Sequence, residues 1–225
     1  AGTCLHAILE DWVRGKGSLE DRVEAGLQAY GLPAEWAEIT CRQLQQVLDT
    51  DLDGAGMTLA GLRPERRLPE LSFTFPVRQL DVTRLRALLS DPASGLPAPL
   101  REAAARLEFD TLRGFIKGFI DLTFEHQGRW YIADYKSNWL GPDASYYGGD
   151  RLLQALAGEH YYLQYLIYLV ALRRFLRQRL ADFRDEQLGG AFYLFLRGMP
   201  EAGVYFARPD DALLDALDRL FEEAR

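Results

Sequence analysis

Two apolar runs separated by four residues constrain this chain more than anything else in it. Gly114 to Glu125 (GFIKGFIDLTFE) and Trp130 to Lys136 (WYIADYK) are rich in β-branched and aromatic residues, and the intervening His-Gln-Gly-Arg has the length and the glycine of a turn. The pattern predicts a β-hairpin. A two-residue turn at Gln127-Gly128 and a four-residue loop from His126 to Arg129 give the same register, and in that register Asp121 lies opposite Asp134. Their Cβ atoms should then be roughly 4.5–5.5 Å apart on one face. Lys136 projects from that face one step further along, at about 6.6 Å. Phe115, Ile116, Phe119, Ile120 and Ile132 make both faces apolar, so the pair is expected in the middle of a sheet.

Two carboxylates this close repel each other, and burial makes their charge more costly. A divalent cation resolves both problems. Hard oxygen ligands with few nitrogens suit Mg2+, with Mn2+ as a substitute, better than zinc. An Asp-x-Lys by itself is more often an exposed ion pair. The paired Asp121 and the apolar flanks turn the balance towards a cation site.

Elsewhere the pattern is helical first and mixed afterwards. Thr3 is expected to cap a helix carrying Leu5, Ile8, Leu9, Trp12 and Val13. Ser18 and Asp21 form a capping box for a second helix ending near Gly31-Leu32-Pro33, and a third runs from about Pro33 to Asp49. Asp49 to Gly56 reads as a loop. Leu71, Phe73, Phe75 and Val77 alternate as in a strand over Leu68 to Val77, and a short helix follows Asp81. Asp91 to Pro99 reads as a loop or subdomain boundary, because Pro and Gly interrupt both regular structures there. Asp150 to Leu180 is helical with its break at Gly158. Gly190 to Arg197 is a buried strand, Val204 to Ala207 a short one, and Pro209 sits in the first turn of a last helix. The sum is an α/β fold of one domain, residues 1–225: a helical N-terminal layer (1–65) and a core (66–225) with a central mixed sheet flanked by helices.

Composition narrows the function. With 48% hydrophobic residues, the 225-residue chain can bury a core without metal or disulfide staples. Its net charge of −7 argues against a module that coats DNA by counterion release, and leaves room for an enzyme that meets DNA only at a local site or one whose substrate is delivered by partner subunits. Cys4 and Cys41 have no metal-ligand spacing and cannot hold a four-cysteine iron–sulfur cluster. Gly15-Lys16-Gly17-Ser18 lacks the spacing of a phosphate loop, so no ATP site is expected. No apolar run of membrane-spanning length occurs, and no membrane partner is expected. The opening AGTCLHAILE, without an initiator Met or a signal pattern, reads as part of a larger protein.

GFIKGFIDLTF, WYIADYKSNWLG and YYLQYLIYLVALRRFL together resemble the RecB family of nuclease domains, within the PD-(D/E)xK nucleases. The resemblance covers the strands and the following helix most specifically, and most of the chain more loosely. It implies a restriction-endonuclease-like core and a metal-dependent exo- and endodeoxyribonuclease of the exonuclease V type. It implies that Asp121 and Asp134 bind the metal, that Tyr135 offers its backbone carbonyl, and that Lys136 orients the attacking water and neutralises the phosphate. His6 falls where the family places a metal-ligating histidine; its place near the edge of an apolar helical stripe, taken alone, favours a partly buried structural residue. Gln164 and Tyr168 match the family's Q-x-x-x-Y, on one helix face, for DNA or the catalytic shell. Taken without the resemblance, they fit core packing, as do Tyr161, Tyr165 and Leu169. His126, His160 and Glu70 carry no motif, Glu70 being either an outer-sphere carboxylate or a surface residue. The implied partners are DNA, the remainder of RecB, RecC and RecD, with RecA as a downstream contact in double-strand break repair, in the bacterial cytoplasm. The competing expectations are a catalytically silent domain that keeps the fold for DNA handling or assembly, and a stand-alone nuclease with a structured or RNA substrate.

Overall fold

The computed structural model describes residues 2–15 and 17–222. Among them are α1 (Gly2–Val13), α2 (Leu19–Ala29), α3 (Ala37–Asp49), β1 (Arg67–Leu80), α4 (Val82–Ser90), α5 (Ala98–Ala105), β2 (Leu112–His126) and β3 (Arg129–Lys136). α6 (Gly149–Gly158), α7 (Tyr161–Arg179), β4 (Leu188–Phe195), β5 (Val204–Ala207) and α8 (Asp211–Glu222) complete the order. The strands make one mixed sheet, β1-β2-β3-β4-β5. The α/β class is the one the sequence implies, and β2 and β3 are inner strands.

The hairpin register is the expected one. β2 and β3 are antiparallel, with His126 opposite Arg129 and the ladder running to Leu122 opposite Ala133. The turn is the two-residue alternative: Gln127 has φ 50° and Gly128 φ 79°. Positive φ at both central residues matches the right-handed twist of the flanking strands.

Two compact units divide the chain. The first takes the chain up to Leu71, Ile120–Gly148 and Phe192–Phe206. Its core sets Ile8 and Leu9 of α1 and Val47 of α3 in one cluster with Leu122 and Phe124 of β2, Tyr131, Ala133 and Tyr135 of β3, and Phe192 of β4. The strand residues in this list alternate, as the two-residue period requires, and their neighbours Thr123, Ile132 and Asp134 point to the other face. The capping box before α2 is present as expected: Asp21 N–H donates to Ser18 Oγ at 3.1 Å, and Ser18 N–H to Asp21 Oδ2 at 3.2 Å.

The second unit takes Ser72–Phe119, Gly149–Ala191 and the chain from Ala207. α7 and α8 are tied there by Arg173, which is fully buried. Its guanidinium lies 2.8 Å from Asp215 and 3.4 Å from Asp218. The predicted break at Gly158 falls between α6 and α7, where His160 takes the left-handed φ of 53°.

Four local expectations need correction. Thr3 lies inside α1, which already begins at Gly2, so it is not the cap. Asp91 to Pro99 is not a boundary: it lies within the second unit, holds a 3-10 turn at Pro92–Ser94, and enters α5 at Ala98. Proline is tolerated in a helix's first turn, where no N–H partner is lost, so Pro99 starts a helix that composition alone hides. Pro209 precedes α8, whose first turn instead uses the Asp210 carbonyl as acceptor for Leu213 and Leu214. Finally, Phe115 and Phe119 are 69% and 59% exposed, so the first half of β2 is covered on one face only. Among the described residues, no helix is long and apolar enough to cross a membrane.

Candidate active site

β3 brings three functional groups to the end of the hairpin, and alternation sorts them. Tyr135 turns into the first unit's core, while Asp134 and Lys136 leave on the opposite face with Ile132. Asp134 is almost wholly buried, and its Oδ1 lies 2.5 Å from Lys136 Nζ. The ammonium also stands over the Tyr193 ring of β4, 5.1 Å from the centroid. A lysine held by a carboxylate on one side and an aromatic face on the other is fixed in place before any substrate arrives.

Asp121 is the next residue of β2 after the last ladder pair, facing Asp134 in the extended register. Its Oδ2 accepts a hydrogen bond from the Tyr135 backbone N–H at 2.9 Å. His6 of α1 comes to the same carboxylate, Nδ1 to Oδ2 at 3.4 Å, with its ring edge-on to Tyr135 at 5.9 Å between centroids. Gly2 leaves no room for a Cβ beside the Ser137 side chain, which brings the start of α1 against the residue after Lys136. The residues just after β4 hold the other side: Leu196 N–H donates to the Lys136 carbonyl and Arg197 Nε to the Ser137 carbonyl, each at 2.9 Å.

The electrostatics follow from burial. Desolvation and the charge of Asp134 push the Asp121 carboxyl up to about 7. Asp134 is likewise raised, by desolvation against the opposing pull of Lys136. Burial lowers the His6 pKa, which keeps a neutral imidazole with a lone pair to offer, and it raises the Tyr135 phenol. Two carboxylates that resist ionisation side by side are a site short of positive charge.

His6, Asp121, Asp134, Tyr135 and Lys136 are thus gathered in the first unit. Gln164 and Tyr168 belong to the second unit, where Gln164 Nε2 donates to Tyr168 Oη at 2.9 Å and the Tyr168 ring packs edge-on to Phe73 at 5.5 Å. Tyr165 and Leu169 are buried in that unit. His126 ends β2 beside the turn, and His160 Nδ1 lies 3.1 Å from Tyr162 Oη. Glu70 is exposed, yet it lines a cavity of about 510 Å³ with His6, Glu10 and Ser137, and its charge adds to the upward shift of Asp121. It has φ 50° inside β1, a strained backbone for a residue with a Cβ. Nothing in the sequence signals that backbone conformation at Glu70.

The donors suit a hard divalent ion: two carboxylate groups short of positive charge, a neutral imidazole, and the Tyr135 carbonyl between Asp134 and Lys136 in the chain. As placed, these groups contact one another. Among the described residues, no three or more His, Cys, Asp or Glu side chains surround a common ion position.

The inner hairpin thus carries a buried Asp-x-Lys at its end, with a second carboxylate opposite. The chain matches the PD-(D/E)XK nuclease superfamily over residues 1–225 and belongs to it. Over 98% of its length it is 37% identical to RecBCD enzyme subunit RecB of Escherichia coli (strain K12), of which it covers 19%. It is 34% identical, over all of its length, to RecBCD enzyme subunit RecB of Mycobacterium tuberculosis (strain CDC 1551 / Oshkosh), covering 24% of that protein. The same subunit of Haemophilus influenzae (strain ATCC 51907 / DSM 11121 / KW20 / Rd) is 33% identical over 98% of the chain, which covers 18% of it. The chain therefore spans about a fifth of the length of these curated relatives.

Proposed function

We propose that this chain is the Mg2+-dependent DNA nuclease domain of a RecBCD-type helicase–nuclease. It would cut DNA strands, as an exo- and endonuclease of the exonuclease V type, during recombinational repair of double-strand breaks in the bacterial cytoplasm. The observation that carries the reading is the buried Asp121–Asp134 pair with Lys136 fixed beside it. His6, Asp121, Asp134 and the Tyr135 carbonyl would hold the metal. Bound there, the ion supplies Lewis acidity and a water of lowered pKa.

The chain's own residues do the rest. Lys136, 11% exposed, presents a fixed ammonium to the scissile phosphate and orients the water that attacks it. Asp134 sets the lysine's position through the 2.5 Å ion pair, and Tyr193 beneath it limits its swing. Gln164 and Tyr168 are assigned to the DNA strand or the supporting shell. The remainder of RecB, RecC and RecD are the proposed partners, with RecA downstream; the relatives' names, RecBCD enzyme subunit RecB, support the first three.

The test is cleavage of end-labelled single-stranded DNA in Mg2+. Lys136→Ala should lose about 10²–10³-fold in rate, the size seen when one charge-stabilising donor is removed. Lys136→Arg should not restore it, because a planar guanidinium cannot occupy the slot between Asp134 and Tyr193 as a point charge. Undiminished cleavage by Lys136→Ala and Asp134→Ala would sink the assignment.

A further inference from the structure

β1 and β2 are neighbours in the sheet, and within the second unit their two faces differ sharply. One face is covered. Phe73 packs against Tyr168 of α7, and a Cβ on Gly118 would strike the Phe73 ring at 2.6 Å. Phe75 and Val77 continue that buried row. By alternation the other face carries Thr74, Pro76 and Arg78 from β1, and Phe115, Lys117 and Phe119 from β2. All six are exposed, with the two phenylalanines 69% and 59% accessible.

Two large exposed rings on the face of a sheet are costly to leave in water. Here they flank a lysine, with an arginine on the next strand and no carboxylate among the six residues, in a chain whose net charge is −7. The local charge is therefore opposite to that of the whole protein, and it complements a phosphate backbone.

We propose that this face of β1 and β2 is a single-strand DNA platform, with unstacked bases on Phe115 and Phe119 and Lys117 and Arg78 on the phosphates; it rests on the nuclease reading above. Residues two apart on a strand are about 6.6 Å apart, so the rings are about 13 Å apart. In a duplex both faces of each base are covered by its stacked neighbours and neither ring can stack on them, whereas the unstacked bases of a splayed single strand can reach both. Asp121 is the next residue but one after Phe119 on the same strand.

The experiment is a fluorescence-anisotropy titration of a labelled oligothymidylate with the full chain in EDTA, where cleavage plays no part. The double variant Phe115→Ala/Phe119→Ala should bind about 10–100-fold more weakly, with the slope of log affinity against log salt unchanged. Lys117→Gln should bind more weakly and flatten that slope by about 0.7. A duplex of the same length should bind less tightly than the single strand. Wild-type affinity in the double variant, or equal binding of duplex, overturns the platform. So does a double variant that keeps its DNA affinity but loses association with the rest of a RecB-like subunit, since the face would then be a protein interface. Because the readout is metal-free binding, loss of the platform leaves the Lys136 cleavage test standing, and the reverse holds as well.

Discussion

The Asp121 carboxylate accepts the backbone N–H of Tyr135, the residue between Asp134 and Lys136, at 2.9 Å. A side chain thus takes a main-chain donor of the facing strand just past the last ladder pair, Leu122 with Ala133. The bond has two effects. It fixes one oxygen of Asp121 beside the Asp134–Lys136 pair, and it anchors the backbone at Tyr135, whose carbonyl in the following peptide is assigned to the metal. Hydrogen bonding lowers the carboxyl's pKa, but desolvation and Asp134 outweigh it, and the group ends up at about 7.

That balance gives a pH dependence with a definite sign. In the unfolded chain Asp121 ionises near 3.8; in the folded, metal-free chain it resists until about 7. Between these values the folded state binds the extra proton, so stability falls as pH rises from about 4 to about 7 and then levels off. Metal-free Asp121→Asn should melt at a higher temperature than wild type at about pH 8, and the gap should close towards about pH 5. Thermal melts in EDTA across that range check it. A gap that widens on acidification would put the proton elsewhere.

Mg2+ should stabilise the wild-type chain, because only the folded state assembles His6, Asp121, Asp134 and the Tyr135 carbonyl. At a hundred times Kd the gain is about 2.7 kcal/mol. Asp134→Asn should abolish the thermal shift. His6→Ala should weaken Mg2+ affinity in calorimetry while keeping some binding, since both carboxylates remain. An unchanged affinity in His6→Ala would return His6 to a packing role.

Arg173 is fully buried, and its charge is met by Asp215 and Asp218 of α8. Arg173→Leu leaves α8 held to α7 through Arg174, 2.5 Å from Asp218, but takes away the guanidinium that Asp215 meets at 2.8 Å. Breaking a buried ion pair by deleting one partner costs about 3–5 kcal/mol; the partly exposed aspartates put this one near the lower end. The urea midpoint should fall with the slope unchanged.

Gly203 has φ 90°, and a Cβ there would lie 2.5 Å from the Phe195 carbonyl oxygen, a backbone atom that cannot swing aside. Gly203→Ala should cost about 2 kcal/mol in the same urea assay. Gly128→Ala, with φ 79° and nothing near its Cβ, should cost less.

The hairpin was legible because its register depends on two short-range facts, turn length and alternation. Both candidate turns put Asp121 opposite Asp134. The element order was legible for the same local reasons: Ser18 with Asp21 capping α2, and Gly158 breaking the long helical stretch. Long-range features left no local trace. α5 was hidden by Pro97 at its N-cap and Pro99 in its first turn. Phe115 and Phe119 looked buried because an apolar residue says nothing about whether another element covers it. Tyr193 looked like one more aromatic in a buried strand, and only the neighbouring of β3 and β4 shows it beneath Lys136. The left-handed Glu70 could not be read from sequence, since nothing in the residue favours that conformation.

The order in which the ribosome makes the chain gives the tie between β4 and Lys136 another meaning. Among the groups of the site His6 emerges first, the two aspartates and the lysine after it, and Tyr193 with Leu196 last. At about 5–20 residues per second, the helix that bears the histidine waits some 10–40 s for the strand that secures the lysine. A prematurely terminated product would carry every charged group of the site but lack the ring and the N–H that hold the ammonium in place. A centre built in this way stays incomplete until Leu196 has been translated.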